Sequence, residues 1–160
     1  DIANTLTAFV IAKCDDITVG EKCIFGKYTS TGNLREWAVQ KTNLTGAIDI
    51  VYGKPADGTY SGTVRTAAAH WVSGKYIRLA FVFNRGISML VVDGQVVSKS
   101  VVDLVEPGSL YNGTSNVFVG VHSTTQNPWN GTVGLVLLYN EAKTLQQIQY
   151  IDRLTKWRWV

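Results

Sequence analysis

The stretch from Tyr76 to Lys99 leaves this chain little conformational choice. Tyr76 to Asn84 is a long β-type run, Arg85-Gly86 is a tight turn, and Ile87 to Val92 returns. Asp93-Gly94 then supplies the two-residue signal of a type I′ hairpin into Gln95 to Lys99, since both central residues of that turn need positive φ. A three-stranded antiparallel meander is nearly forced. Short β runs divided by turn residues also make up the rest of the chain. Leu6–Cys14, Lys22–Tyr28, Glu36–Lys41, Ala47–Tyr52, Thr59–Ala67, Asn116–Val121 and Gly131–Tyr139 read as further strands, with Pro55, Asp57 and Gly58 forming a turn.

The period changes only near the end. Thr144 with Gln147 makes a capping box, and Leu145, Ile148 and Ile151 fall on one helical face. The expectation from the residues is therefore all-β, a sandwich with one short C-terminal helix near Thr144 to Arg153. No repeat or interdomain linker interrupts the pattern, so residues 1–160 read as one domain. The start at Asp1, with neither a basic n-region nor a cleavage site, reads as a mature product or a domain of a longer protein.

Hydrophobic residues make up 46% and charged residues 17%, which suits a packed core and not a disordered segment. The longest apolar stretches, Ile87–Val92 and Val133–Leu138, fall far short of the roughly 20 residues that span a bilayer, so no membrane insertion is expected. A net charge of +3, with the basic residues scattered apart from Lys156 and Arg158, is no footprint for nucleic acid. The two cysteines, Cys14 and Cys23, come within disulfide distance if their flanking runs pair as a hairpin, and are two small buried thiols otherwise.

Several segments in order resemble the concanavalin A-like domains of laminin G and pentraxin type. They are Lys75 to Phe83, Leu90-Val91-Val92-Asp93-Gly94, Val117-Phe118-Val119-Gly120, Trp129-Asn130-Gly131-Thr132-Val133, and Leu138-Tyr139-Asn140 followed by Thr144 to Ile148. Two departures stand out: Tyr76 occupies a position where such domains usually carry tryptophan, and the usual strand ahead of Leu6 is absent or cut short at Asp1. The resemblance implies an all-β, two-sheet antiparallel jelly-roll sandwich, and a binding function outside the cell, on a cell surface or in a virion such as a phage tail or capsid. It implies no reaction. It also allows calcium, held by loop carboxylates and carbonyls, for which the loops at Asp15-Asp16 and Asp57 are the places to look.

Catalysis finds no support in the residues. A retaining glycosidase needs two carboxyl groups about 5 Å apart on one face, whereas Asp49 is alone in its strand and neither Glu21 nor Glu36 has a carboxylate two residues on. His70 and His122 are the only histidines, without metal-ligand spacing, and no nucleophile elbow or phosphate loop occurs. The chain is expected not to be an enzyme.

Carbohydrate recognition calls for an aromatic plate with amides or carboxylates at its rim. Trp37, in a strand where it alternates with polar residues such as Glu36, reads as core. Trp129 reads as a plug of the sandwich end more than as a plate. If Val72 points inward, Trp71 faces out beside His70. Trp157 and Trp159 share one side of the Lys156–Val160 tail, which reads as contact surface. The expected ligand-binding set is Trp71, His70, Trp129, Asn130 and Gln126, with the polar loop His122 to Asn130 supplying hydrogen bonds. Two functions fit: a glycan-binding adhesion module, or a structural module that contacts neighbouring protein subunits.

Overall fold

The computed structural model describes residues 4–29, 34–42, 46–53, 60–66, 69–101, 110, 113–121 and 127–159, with the backbone alone at 34–35 and 60–62. Among the described residues, ten strands and one α-helix follow in order: β1 (Thr5–Cys14), β2 (Lys22–Thr29), β3 (Leu34–Lys41), β4 (Ile48–Gly53), β5 (Tyr60–Arg65), β6 (Tyr76–Asn84), β7 (Ile87–Val92), β8 (Gln95–Val101), β9 (Phe118–Val119), β10 (Gly131–Tyr139) and α1 (Leu145–Thr155). They form two five-stranded antiparallel sheets, β10-β1-β6-β7-β8 and β5-β4-β3-β2-β9. This is the jelly-roll sandwich that the family resemblance implies.

The central meander forms as β6, β7 and β8, and Asp93 and Gly94 take φ of 49° and 78° at its second turn. The run Asn116–Val121 contracts to Phe118–Val119, because this edge strand pairs only with Phe25 and Gly26 of β2.

The inner core lies between the sheets. Alternate residues of β1 (Leu6, Ala8, Val10) meet Trp37 and Val39 of β3 and Phe81 of β6 there. Residues of opposite parity on β1, Phe9 and Ile11, face the other way and are covered by α1 through Ile148. The first sheet is thus buried on both sides, which is why β1 is a near-continuous apolar run and does not alternate. Helix α1 begins at its expected N-cap, with the Thr144 hydroxyl accepting from Gln147 N and Gln147 Oε1 accepting from Thr144 N.

Cys14 and Cys23 are both free and buried. They belong to different sheets, since β1 pairs with β6 and β10 while β2 pairs with β3 and β9. The hairpin that would have joined them does not exist, and Cys14 faces the inner core while Cys23 lies on the outer side of the second sheet with Ala38 and Val51.

Candidate functional site

Three loops meet at the end of the sandwich where β1 finishes. Asp15 N donates to Asn130 O, Ile17 N to Ser73 Oγ, and Gly74 N to Cys14 O. Trp129 is held twice, by its backbone N–H to Gly120 O at 2.7 Å and by its indole N–H to Lys13 O at 3.1 Å. Trp71 is brought to the same place because its N–H and that of His70 both donate to Gly46 O at 2.9 Å. The structure therefore gathers Trp71, His70, Trp129 and Asn130, while Gln126 lies outside the described residues.

Trp71 does not face out. It is 1% exposed and packs in the inner core, whereas Val72 is 50% exposed, the reverse of the expected alternation. The physical reason is that residues 69–72 form no strand: the shared Gly46 carbonyl sets the direction of the indole, and β alternation does not apply. His70 is half-buried, and burial pushes its imidazole below the usual histidine range.

On the outer side of the second sheet, the same end carries a row of polar side chains running across its strands. Asn127 Nδ2 donates to Glu21 Oε1 at 3.0 Å, and the Gln40 amide also donates to the Glu21 carboxylate. Gln40 stands opposite Asp49, and Asp49 opposite Arg65, in the backbone register. Arg65 Nε and Nη2 grip the two oxygens of Asp49, each at 2.7 Å, which fixes a guanidinium whose side chain is 63% exposed. Gln40 Oε1 is buried without a hydrogen-bond partner. Burial first, then the nearby Asp49 carboxylate, raises the Glu21 carboxyl above its ordinary value. A second pair, half-buried Lys27 and buried Glu36 at 2.8 Å, lies further along this face with Lys27 Nζ also donating to Gly113 O.

A model of the concanavalin A-like lectin/glucanases superfamily matches residues 3–149. The chain belongs to this superfamily. No curated protein sequence matches it. Among solved structures, the receptor binding domain of botulinum neurotoxin C/D mosaic serotype superposes at a TM-score of 0.68 with 15% identity, over 96% of this chain and 37% of that one. The heptameric SAP-like pentraxin of Limulus polyphemus gives 0.68 and 15%, over 94% and 70%. The CBM40 of Ruminococcus gnavus IT-sialidase, bound to α2,3-sialyllactose, gives 0.66 and 13%, over 94% and 83%. The chain thus spans well under half of the first of these structures and most of the other two.

Lectin-like domains of this superfamily raise the question of a loop-held calcium, and the donor set at Asp15-Asp16 answers it. Asp15 pairs with Lys13 at 3.1 Å, and Asp16 Oδ1 accepts from Thr18 N and Thr18 Oγ1. The carbonyls that a cation would need are engaged: Lys41 Nζ, fully buried, donates to Ile17 O, Val19 O and Thr42 O at 3.0, 2.7 and 2.9 Å. An ammonium occupies the centre of this loop and would repel a second cation there. These residues do not fit calcium. Asp57, the other expected place, lies outside the described residues.

The polar row escapes a reading of the sequence by single strands. Glu21, Gln40, Asp49 and Arg65 are neighbours only through cross-strand register, so no i, i+2 spacing betrays them. The available signal was the charge placed inside otherwise apolar strands at Glu36, Lys41 and Asp49.

Proposed function

We propose that this chain is a non-catalytic carbohydrate-binding module acting outside the cell, in adhesion at a cell or phage surface, with its sugar contacts at the accessible ends of the polar row, Asn127 with Glu21 at one and Arg65 at the other, while buried Gln40 and Asp49 hold them in place. The observation that carries the reading is that row. Donors and acceptors on successive strands are held by a rigid ladder, with half-exposed Asn127 and Glu21 at one end and exposed Arg65 at the other. Such an array is suited to sugar hydroxyls, which need several directed hydrogen bonds and little apolar area. Asn130, in the described part of the loop, flanks the Asn127 end of the row. The likeness to a carbohydrate-binding module solved with its sugar, over most of both chains, supports the same reading.

A glycan array with the purified chain tests it. Asn127 has φ of 49°, so Asn127→Gly removes the amide without straining the loop, and Arg65→Lys keeps the charge while losing the two-point grip. Loss of a sugar signal in both variants at unchanged melting temperature is the expected result. A signal indifferent to both variants, or no signal across the array, defeats the proposal.

A second reading, a structural module that contacts neighbouring subunits, is favoured by one feature. Tyr150, Leu154 and Trp157 form an i, i+4, i+7 stripe at the end of α1 and are 57%, 54% and 66% exposed. Sizing chromatography decides it: an oligomer dispersed by Trp157→Ser supports subunit contact, and a monomer at high concentration removes it.

A further inference from the structure

The outer side of the first sheet, beyond the end of α1, holds a cavity of about 590 Å³ lined by Lys13, Gly74, Lys75, Tyr76, Arg78 and Trp159. That volume lies within the roughly 300–1,000 Å³ of small-molecule sites. Its lining is only aromatic and cationic apart from Gly74. Tyr76 and Trp159 approach with ring centroids 5.5 Å apart and planes inclined by 51°, so the two rings form a corner and not a closed stack.

Three observations show that this corner is built. Trp159 lies flat against Gly134 of β10, where a Cβ would come 2.7 Å from the indole ring; a glycine in mid-strand weakens a sheet and here clears the seat for the ring. Arg78 is fixed from behind by Asp152, at 2.5 Å from Nε, and Asp93, at 3.0 Å from Nη2, so its position does not depend on a ligand. Lys13 lies over the Tyr76 ring with Nζ 5.9 Å from its centroid. Lys75, exposed at the mouth, has no carboxylate partner among the described residues.

Two smaller hollows beside α1 are less suited. In the one lined by Tyr139 and Tyr150, the Lys143 ammonium already sits 4.5 Å from the Tyr139 ring centroid and Gln147 is committed to the helix cap. The other, lined by Val82, Ile87 and Met89, has no aromatic ring in its lining.

We propose that the Tyr76/Trp159 cavity is a second carbohydrate subsite that takes an anionic pyranose, bearing a carboxylate or a sulfate. The apolar face of the sugar rests on the Trp159 and Tyr76 rings, and its anionic group is met by Lys75, with Lys13, itself paired with Asp15 at 3.1 Å, beside it. Aromatic faces attract the C–H side of a pyranose and exclude water beneath it; the ammonium groups discriminate against a neutral sugar of the same shape. The inference rests on the carbohydrate-binding reading for its ligand class but not on the row at Asn127 to Arg65, which lies on the other sheet.

The test is an NMR titration that follows the Trp159 indole N–H, with 3′-sialyllactose, a sulfated disaccharide, lactose and inorganic sulfate. The expected result is a shift of the Trp159 signal with the two anionic sugars and at least tenfold weaker or no response to lactose. Lys75→Glu should weaken the anionic sugars about tenfold or more, and Gly134→Ala, which unseats Trp159, should abolish the shift while a circular dichroism spectrum confirms the fold. Asn127→Gly should leave it unchanged; that outcome holds even if the row on the second sheet binds nothing. Whichever anionic sugar binds more tightly identifies the source of the charge. The proposal is overturned if inorganic sulfate gives the same response as the sugars, if Lys75→Glu leaves their affinities unaltered, or if the shifts follow Asn127 instead.

Discussion

The indoles of Trp71 and Trp129 meet with ring centroids 4.9 Å apart and planes tilted by 60°, closing the loop end of the sandwich. Each comes from a segment with no strand pairing of its own, 69–72 and 127–130, so their contact adds to the hydrogen bonds accepted by the carbonyls of Gly46, Gly120 and Lys13 in tying those segments to the core. The pair is a packing element.

Trp71→Ala should therefore cost about 3–5 kcal/mol, the usual range for deleting a buried large aromatic, read as a drop in the urea midpoint. Trp71→Phe should cost much less, because the indole N–H it removes is buried without a partner. Equal losses in the two variants would show that the N–H is satisfied in solution.

Lys41→Met sets three charge-assisted hydrogen bonds, about 1.5–3 kcal/mol each, against relief from burying an ammonium, a cost of several kcal/mol. Burial holds the Lys41 pKa below the ordinary lysine value, which agrees with a strained charge. The two effects nearly offset, so global stability should change by no more than about 2 kcal/mol. The loop should respond more: amide exchange at Thr18 to Gly20 should accelerate, as the Ile17 and Val19 carbonyls lose their anchor. The melting temperature of the unaltered protein should not move with millimolar calcium or with EDTA. A rise with calcium would show that a loop outside Asp15-Asp16 holds the ion.

Gly94→Val should lower stability by about 1–2 kcal/mol, the cost of a left-handed conformation for a residue with Cβ. The cause is backbone strain at φ 78°, not crowding, since an added Cβ would meet only Asp152 Oδ2 at 3.7 Å and Gln149 Cγ at 3.8 Å. Gly94→Asn should be tolerated better, because asparagine visits this region more readily. Thermal melts of both variants check the difference.

Local rules made most of the strands legible. Tyr76–Asn84, Ile87–Val92 and Gly131–Tyr139 follow the sequence pattern to the residue, and Thr144 caps α1 through its own side chain and that of Gln147. What stayed hidden was set by distance in the chain. Trp71 turns inward because a carbonyl twenty-five positions earlier, at Gly46, takes its N–H. Glu21, Gln40 and Asp49 come together only once β2, β3 and β4 align. Trp157 and Trp159 part company because residues 156–158 form a 3₁₀ turn, so Trp159 reaches Gly134 while Trp157 stays in solvent.

His70 gives stability a pH dependence of definite sign. Its folded pKa lies below the unfolded value of 6.5, mainly through burial. In the window below 6.5 the unfolded chain holds more protons on this group, so its contribution is complete above that pH and is lost as the pH falls. Glu21 and Glu36, raised by burial, act in the opposite sense, but they are common to the protein and its variant. The denaturation midpoint should therefore fall more between pH 7.5 and 5.5 in the unaltered protein than in His70→Gln. Identical falls would place the histidine in open solvent.

No β-glucan hydrolysis is expected, and the carboxylates show why. A retaining displacement needs an accessible nucleophile about 5 Å from a general acid. Asp49 is 2% exposed with both oxygens held at 2.7 Å by Arg65, so it cannot approach an anomeric carbon without breaking two charge-assisted bonds. Glu36 is buried and bound to Lys27 at 2.8 Å. Among the described residues, Glu21 alone combines partial exposure with a raised pKa, the property of a general acid, but the carboxylate nearest in its electrostatic surroundings is the clamped Asp49. Incubation with laminarin and lichenan should release no reducing sugar above the blank. Release that disappears in both Asp49→Asn and Glu21→Gln, with the fold retained, would show that Arg65 yields Asp49 to a substrate and would turn this row from a binding surface into an active site.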